Sequence, residues 1–335
     1  MKIGFVYDLR DDYRALGYSE ESVAEFDTPE TISDIADALA NLGHTVDRIG
    51  HGQKLASRLV AGERWDMVFS IAEGVRGRSR EAQVPALLEL FDQPYVFSDP
   101  LTMAATLDKS VAKQIVRGSG VPTATSWTAE SGADIASADI AFPAFVKPVA
   151  EGTGKGCDSR SRVENRQELI SQTTRLAAQF AQPVLIETFL PGREFTVGVV
   201  GTGPAARVIA VMEVAVRDTA TDPVYSLENK ELCETFVTYT LADDDEASTA
   251  GAYALAAYRA LGCRDAARLD FKSDSAGVPH FLEANPIAGL NPHHSDLPIL
   301  ATKAGMSYES LIGEILTSAC ARCGSLPETA RQASN

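Results

Sequence analysis

Strand-like apolar runs alternate with helical periodicities through the first hundred residues, and few folds accommodate that order. Strands separated by helices form a parallel sheet with helices on both faces. Ile3-Gly4-Phe5-Val6-Tyr7 reads as a buried strand, and Thr28-Pro29-Glu30 as a helix start with an N-cap, a proline at the first helical position and an acid in the first turn. Ile32, Ile35, Ala36 and Leu39 recur at helical spacing, and Gly43 is placed to end that helix. Residues 45–49 and 66–71 are the next strands, Val84, Leu87, Leu88 and Phe91 mark a second helix, and Pro94-Tyr95-Val96-Phe97 a further strand. From Asp99-Pro100 one helix is expected to run to Gly118 or Gly120.

Beyond that helix the pattern becomes α+β. Residues 145–148 and 184–187 read as strands flanking a helix over 167–180. Residues 195–200 and 206–214 read as an antiparallel ribbon around Gly201-Thr202-Gly203-Pro204. Arg268-Leu269-Asp270 and Glu283-Ala284-Asn285 flank the turn-forming Ser273-Asp274-Ser275-Ala276-Gly277. A hairpin centred on residues 276 and 277 sets Asp270 opposite Glu283 and Arg268 opposite Asn285, all on one face. Two readings follow: a platform of oxygen ligands suited to Mg²⁺, or the wet side of a surface hairpin. The glycine-rich run Lys147-Pro148-Val149-Ala150-Glu151-Gly152-Thr153-Gly154-Lys155-Gly156 follows a strand, and is either a phosphate cradle with Lys147 as clamp or a plain turn. Lys109 on its own reads as a solvated surface lysine. Glu187 ends an apolar strand before Phe189 and Leu190, which either receives an adenine or simply leaves the core. Asp222-Pro223 opens a polar stretch to Thr235, a candidate active-site loop.

A chain of 335 residues suffices for two or three domains. Its net charge of −16 argues against nucleic acid as a partner but not against a nucleotide, which needs only a local cluster of cations. No apolar run approaches the roughly 20 residues that span a bilayer, so no membrane partner is expected. The N-terminus enters a strand without a signal-like segment, and the five cysteines make no disulfide framework; a reduced, cytoplasmic setting is expected. Cys320-Ala321-Arg322-Cys323 lacks the further ligands of a zinc site and reads as ordinary helix residues.

These motifs, in their order, resemble the ATP-grasp superfamily and, more narrowly, the D-alanine–D-alanine ligases. The likeness rests on Lys109, Lys147-Pro148, Glu151-Gly152-Thr153-Gly154, Glu187 to Leu190-Pro191-Gly192-Arg193-Glu194, Glu228-Asn229-Lys230, Arg268-Leu269-Asp270, Glu283-Ala284-Asn285 and His294-Ser295. It implies an ATP-grasp fold with an N-terminal Rossmann-like domain (1–104), a central subdomain (105–195) and a C-terminal subdomain with the metal and substrate site (196–335). It implies that Lys109, Lys147 and Lys230 hold ATP phosphates, that Glu187, Leu190 and Glu194 surround adenine and ribose, and that Asp270, Glu283 and Asn285 bind two Mg²⁺ (or Mn²⁺). Arg268 and the Gly289 N–H would stabilise an oxyanion, and Ser295 would contact the second substrate's carboxylate. The implied partners are amino acids, the implied state a homodimer and the implied setting cell-wall precursor synthesis. The sequence also departs from the family pattern. Thr153 stands for a serine, Glu231 for a tyrosine, and the N-terminal glutamate of the family's substrate trio has Glu25 and Asp27 as candidates. Glu231 adds charge near the amine site, which favours a ligase for other amino acids as the alternative. A non-catalytic nucleotide-binding protein is the third reading.

Overall fold

The computed structural model describes residues 1–217 and 233–324. Strands β1 (Lys2–Val6), β2 (Thr45–Gly50) and β3 (Met67–Ser70) form a parallel sheet in the order β2-β1-β3. The central run is buried because both faces are covered: Phe5 packs with Ile32, Ile35 and Leu39 of the Pro29–Asn41 helix, and Val6 with Leu55 and Leu59 of the Gly52–Val60 helix. The Thr28 hydroxyl accepts from the Thr31 N–H, and Pro29 opens the helix, as the sequence indicates.

Two expectations change here. Residues 94–97 do not form a strand; they meet β3 through a single bridge between Val68 and Tyr95. Phe97 then takes a left-handed φ of 77°, which turns the chain away, while its N–H donates to the buried Asp265 carboxylate (2.8 Å). The helix after Pro100 is two helices, Pro100–Leu107 and Lys109–Gly118. Asp108 leaves the helical region (ψ 98°) and accepts from the N–H groups of Ser110 and Val111, so one residue both ends the first helix and caps the second. This break brings Lys109 to the glycine-rich loop, where its N–H donates to Val149 O.

Two antiparallel sheets follow. Strands β4 (Ser126–Ala129), β5 (Ala144–Pro148), β6 (Arg162–Val163) and β7 (Val184–Thr188) lie in the order β4-β7-β5-β6, packed against the Arg166–Phe180 helix. Strands β8 (Glu194–Val200), β9 (Arg207–Val216), β10 (Val237–Leu241), β11 (Ala266–Ser273) and β12 (Pro279–Asn285) lie in the order β10-β9-β8-β11-β12. One face of this larger sheet carries the Asp245–Leu261 helix, which lies against it through Ala247, Ala250, Ala254 and Ala257, all fully buried. The Asp296–Lys303 helix touches the other face at Gly198, where a Cβ would come within 2.9 Å of Leu297. The C-terminal Tyr308–Arg322 helix joins the core of the N-terminal sheet and is pinned by Arg322 donating to Asp265 (2.8 Å). Cys320 lies in that helix and Cys323 at its end. Among the described residues no helix is long and apolar enough to cross a membrane.

Candidate active site

The hairpin of β11 and β12 has the register read from the sequence, Arg268 opposite Asn285 and Asp270 opposite Glu283. The Asp274 carboxylate accepts from the N–H groups of Ala276 and Val278, and Gly277 supplies the left-handed φ of 77° that closes the turn. Alternation, shifted once at Leu282 between the Asp270–Glu283 and Phe271–Phe281 pairs, decides the faces. Leu269, Phe271, Phe281 and Ala284 go into the core under the Asp245–Leu261 helix, and Arg268, Asp270, Glu283 and Asn285 share the other side. That side is no wet surface. The Arg268 guanidinium donates to Asp270 (Nε 3.1 Å, Nη2 3.0 Å) and lies 3.2 Å from Asp296 and 3.8 Å from Glu283. Burial works against its charge, but Asp270, Asp296 and Glu283 together hold its pKa above the ordinary arginine value. Thr196 donates to Asp270 from the neighbouring strand, and Tyr239 to Asp296 (3.0 Å). Asp296 went unread in the sequence; an acid in a helix's first turn directly after Ser295 was its signal.

Between the two antiparallel sheets lies a cavity of about 480 Å³ lined by Lys109, Lys147, Glu187, Leu190, Glu194 and Asp270, among others. Lys109 is 7% exposed, so it is no surface lysine; its Nζ donates to Glu151 O and lies 3.2 Å from Glu283. Leu190 and Glu194 line the wall, Glu194 paired with Lys272 at 2.8 Å. Glu187 departs from the role read for it. Its two oxygens lie 2.6 Å from Lys113 Nζ and 2.8 Å from Lys147 Nζ, so it is the counter-ion of two buried ammonium groups. Burial opposes its charge, yet those lysines hold its carboxyl at about 2. Burial pushes Lys113 down to about 8, with Glu187 opposing, whereas Glu187 and Glu283 keep Lys147 above its ordinary value despite burial. Lys113 also donates to Phe281 O (2.8 Å), tying its helix to the hairpin. The sequence signal for Lys113 was its spacing, one helical turn from Lys109 on the same face.

A second cavity, about 460 Å³, opens on the other side of the same residues; Lys109, Glu151 and Glu283 line both. Glu25, Asp27, Thr153, Arg268, Asn285, Gly289 and Ser295 line the second. Glu25 anchors the glycine-rich loop by accepting from the Gly152 N–H and from Arg80 Nη2 (2.7 Å), while Arg80 Nη1 donates to Ala150 O (2.9 Å). A Cβ at Gly152 would lie 2.7 Å from that Glu25 oxygen, so a larger residue would displace Glu25 or the loop. Burial opposes the Glu25 charge, but Arg80 and Lys155 hold its pKa below the ordinary value. Thr153 sits at φ 50°, and its buried hydroxyl has no hydrogen-bond partner among the described residues. A Cβ at Gly289 would meet Ser295 Oγ at 2.6 Å. Among the described residues, Ser295 Oγ is bonded by the Asn291 N–H and not by the ring of His293 or His294. Asn291 organises the turn: its Oδ1 accepts from both histidine N–H groups, its N–H donates to Ser295 Oγ (3.1 Å), and its Nδ2 donates to Thr31 (2.9 Å). Glu73 and Glu81 complete the acidic wall. Glu228, Lys230 and Glu231 lie outside the described residues.

Comparison with known proteins supplies an independent line. The family model described as "D-ala D-ala ligase C-terminus" matches residues 121–317. The D-alanine–D-alanine ligase of Marinomonas sp. is 31% identical over 265 residues, covering 78% of this chain and 79% of that protein. The structure of D-alanine–D-alanine ligase from Bacillus anthracis complexed with ATP superposes with a TM-score of 0.73 at 20% identity, over 97% of this chain and 99% of that one. The VanG D-Ala:D-Ser ligase of Enterococcus faecalis does so with a TM-score of 0.72 at 20% identity, over 95% and 99%.

Proposed function

The chain belongs to the D-alanine–D-alanine ligase family of the ATP-grasp superfamily, and from that premise we propose that its two cavities hold ATP and a pair of amino acids, which it joins into a dipeptide. One observation carries the reading. Lys109 and Glu283 stand at the junction of the cavities, beside the Arg268–Asp270 face of the hairpin, where a nucleotide's terminal phosphate and an amino-acid carboxylate would meet.

Each residue then has a chemical task. Lys109 and Lys147 take the phosphate charge, with Lys230 as a third cation, and Leu190 and Glu194 flank the adenine and ribose. Asp270, Glu283 and Asn285 form a set of hard oxygen donors on facing strands, a fit for two Mg²⁺ or Mn²⁺ ions, which when bound would neutralise the phosphates further. A carboxylate oxygen of the first amino acid attacks the terminal phosphorus, ADP leaves, and an acyl phosphate remains. The amine of the second amino acid adds to its carbonyl carbon and loses a proton. Arg268 and the Gly289 N–H hold the negative oxygen that develops, phosphate departs and the amide is left. Ser295 receives the second carboxylate, and Glu25, through the Gly152 N–H, holds the loop that carries Thr153 beside the first substrate. The division at residues 104 and 195 is part of this reading. A homodimer and a cytoplasmic location are what the family resemblance supports. Incubation with ATP, Mg²⁺ and D-alanine is expected to release phosphate and give a dipeptide by mass spectrometry; no release with any amino acid pair refutes the ligase reading. A second reading keeps the chemistry and changes the amino acids, and the acidic wall of the second cavity favours it.

A further inference from the structure

Seven carboxylates but only three lysine or arginine side chains line the second cavity. Four of the seven are answered locally. Glu283 faces Lys109 at 3.2 Å, Asp296 faces Arg268 at 3.2 Å, Glu151 pairs with Lys155, and Glu25 takes Arg80 and the Gly152 N–H. Asp27, Glu73 and Glu81 remain. The guanidinium nearest Glu81 is that of Arg80, 3.8 Å away and already bonded to Glu25 and to Ala150 O. Arg10, a cation facing Asp27, donates from Nε to Phe26 O and from Nη2 to Ala24 O, and no ion pair joins it to Asp27 among the described residues. Burial disfavours the charge on both Glu73 and Glu81, and the two lie close enough to disfavour each other's.

The same cavity also carries donors of the opposite character. Arg268, the Gly289 N–H and the Ser295 hydroxyl offer donors to a carboxylate. A zwitterion bound there meets donors for its carboxylate and acids for its ammonium. One α-ammonium answers one or two carboxylates; three stand there. The buried Thr153 hydroxyl, without a partner among the described residues, marks the same cavity as shaped for a polar ligand.

Building on the ligase reading, we propose that one of the two amino acids joined here carries a second cationic group, an amine or guanidine on its side chain, seated against Asp27, Glu73 and Glu81. Burial keeps all three carboxyls protonated to higher pH than usual, Asp27 and Glu81 to about 7 and Glu73 well above its ordinary value. In the absence of ligand, protons thus stand in for the cation, and a dication displaces them.

The test pairs alanine with each enantiomer of lysine, ornithine and arginine, in the presence of ATP and Mg²⁺. Phosphate release and product mass are read, alongside thermal melts without ATP. At least one dibasic amino acid is expected to give a kcat/KM about tenfold or more above alanine's in the same position. That preference ratio should fall about tenfold in Glu73→Gln, which keeps the shape of the protonated acid, and in Asp27→Asn, both checked for folding by circular dichroism. If alanine is used as well as every dibasic amino acid, the proposal fails and the ligase reading stands. If no pair is turned over but a dibasic amino acid raises the melting temperature, and the two variants lose that rise, the ligase reading fails and the cation site stands. With neither turnover nor stabilisation, both fall.

Discussion

The two cavities meet at Lys109 and Glu283, yet they handle charge in opposite ways. The one between the antiparallel sheets is balanced, six acids to six lysines or arginines, and its deepest charges are locked into the Lys113–Glu187–Lys147 triad. The one beside the parallel sheet has an excess of acids held in check by protons. A balanced site is preorganised: its lysines hold their positions before a polyphosphate arrives, at little cost in reorganisation. An unbalanced site is completed by what it binds. On the proposed reading, the common part of the reaction is built into one cavity and the choice of substrate into the other.

Breaking the triad is the strongest test of that contrast. Glu187→Gln leaves two buried ammonium groups facing a neutral amide, and loss of a buried charge partner costs about 3–5 kcal/mol. Denaturant unfolding without nucleotide should show the loss directly. Stability equal to the parent with a raised KM for ATP would instead return Glu187 to reading the nucleotide. The same triad predicts acid behaviour. The Glu187 carboxyl is depressed to about 2, so its contribution is complete above the ordinary carboxylate range and drains away as pH falls toward 2.

At the junction the expected effect is on turnover. Glu283→Gln retains the shape of the hairpin but removes a charge facing both Lys109 and Arg268. Turnover should drop roughly 10²-fold or more if charge stabilisation at this point is the main term, with the melting temperature close to the parent's. Near-full activity would take Glu283 out of the metal set.

A smaller effect is expected from the loop that separates the cavities. Gly152→Ala places a Cβ 2.7 Å from Glu25 Oε1, so either Glu25 or the loop must shift. Steady-state kinetics should show KM for the amino acid rising more than KM for ATP, because Glu25 lines the second cavity and not the first. Equal rises would mean that the loop serves both cavities alike.

The hairpin was legible in the sequence because residues two apart on a strand share a face and an Asp-Ser-Ala-Gly turn sets the register of Arg268, Asp270, Glu283 and Asn285; the shift between the Asp270–Glu283 and Phe271–Phe281 pairs was not. So were the buried strand 3–6 and the Thr28-Pro29 helix start. What stayed hidden depends on distant partners. Asp108 looks like any acid within a helical stretch until its side chain caps a new helix, and only that break brings Lys109 to Glu151. Phe97 turns away from the sheet because Asp265, far along the chain, holds its N–H. Glu187 and Lys113 lie in elements far apart in sequence, and their pairing follows from how the Lys109–Gly118 helix packs on the hairpin. Local pattern gives the elements and their faces; which charges meet is settled by packing.

The mildest test concerns the acidic wall by itself. Asp27 and Glu81 titrate near 7 in the folded chain because burial penalises their charged forms, whereas in the unfolded chain they return to ordinary carboxylate values. The folded state therefore binds more protons than the unfolded state between those limits. Stability from these groups is complete below the ordinary carboxylate range and is lost as pH rises through 7. Their contribution should thus make the ligand-free protein less stable at pH 8 than at pH 6, opposite in sign to the Glu187 effect. In Asp27→Asn or Glu81→Gln this part of the slope should flatten, since an amide has no proton to give up. A saturating dibasic amino acid should flatten it in the parent too, by supplying the missing charge. Thermal melts across that range read all three, and a parent slope that survives both substitutions would show that the wall carries no excess charge.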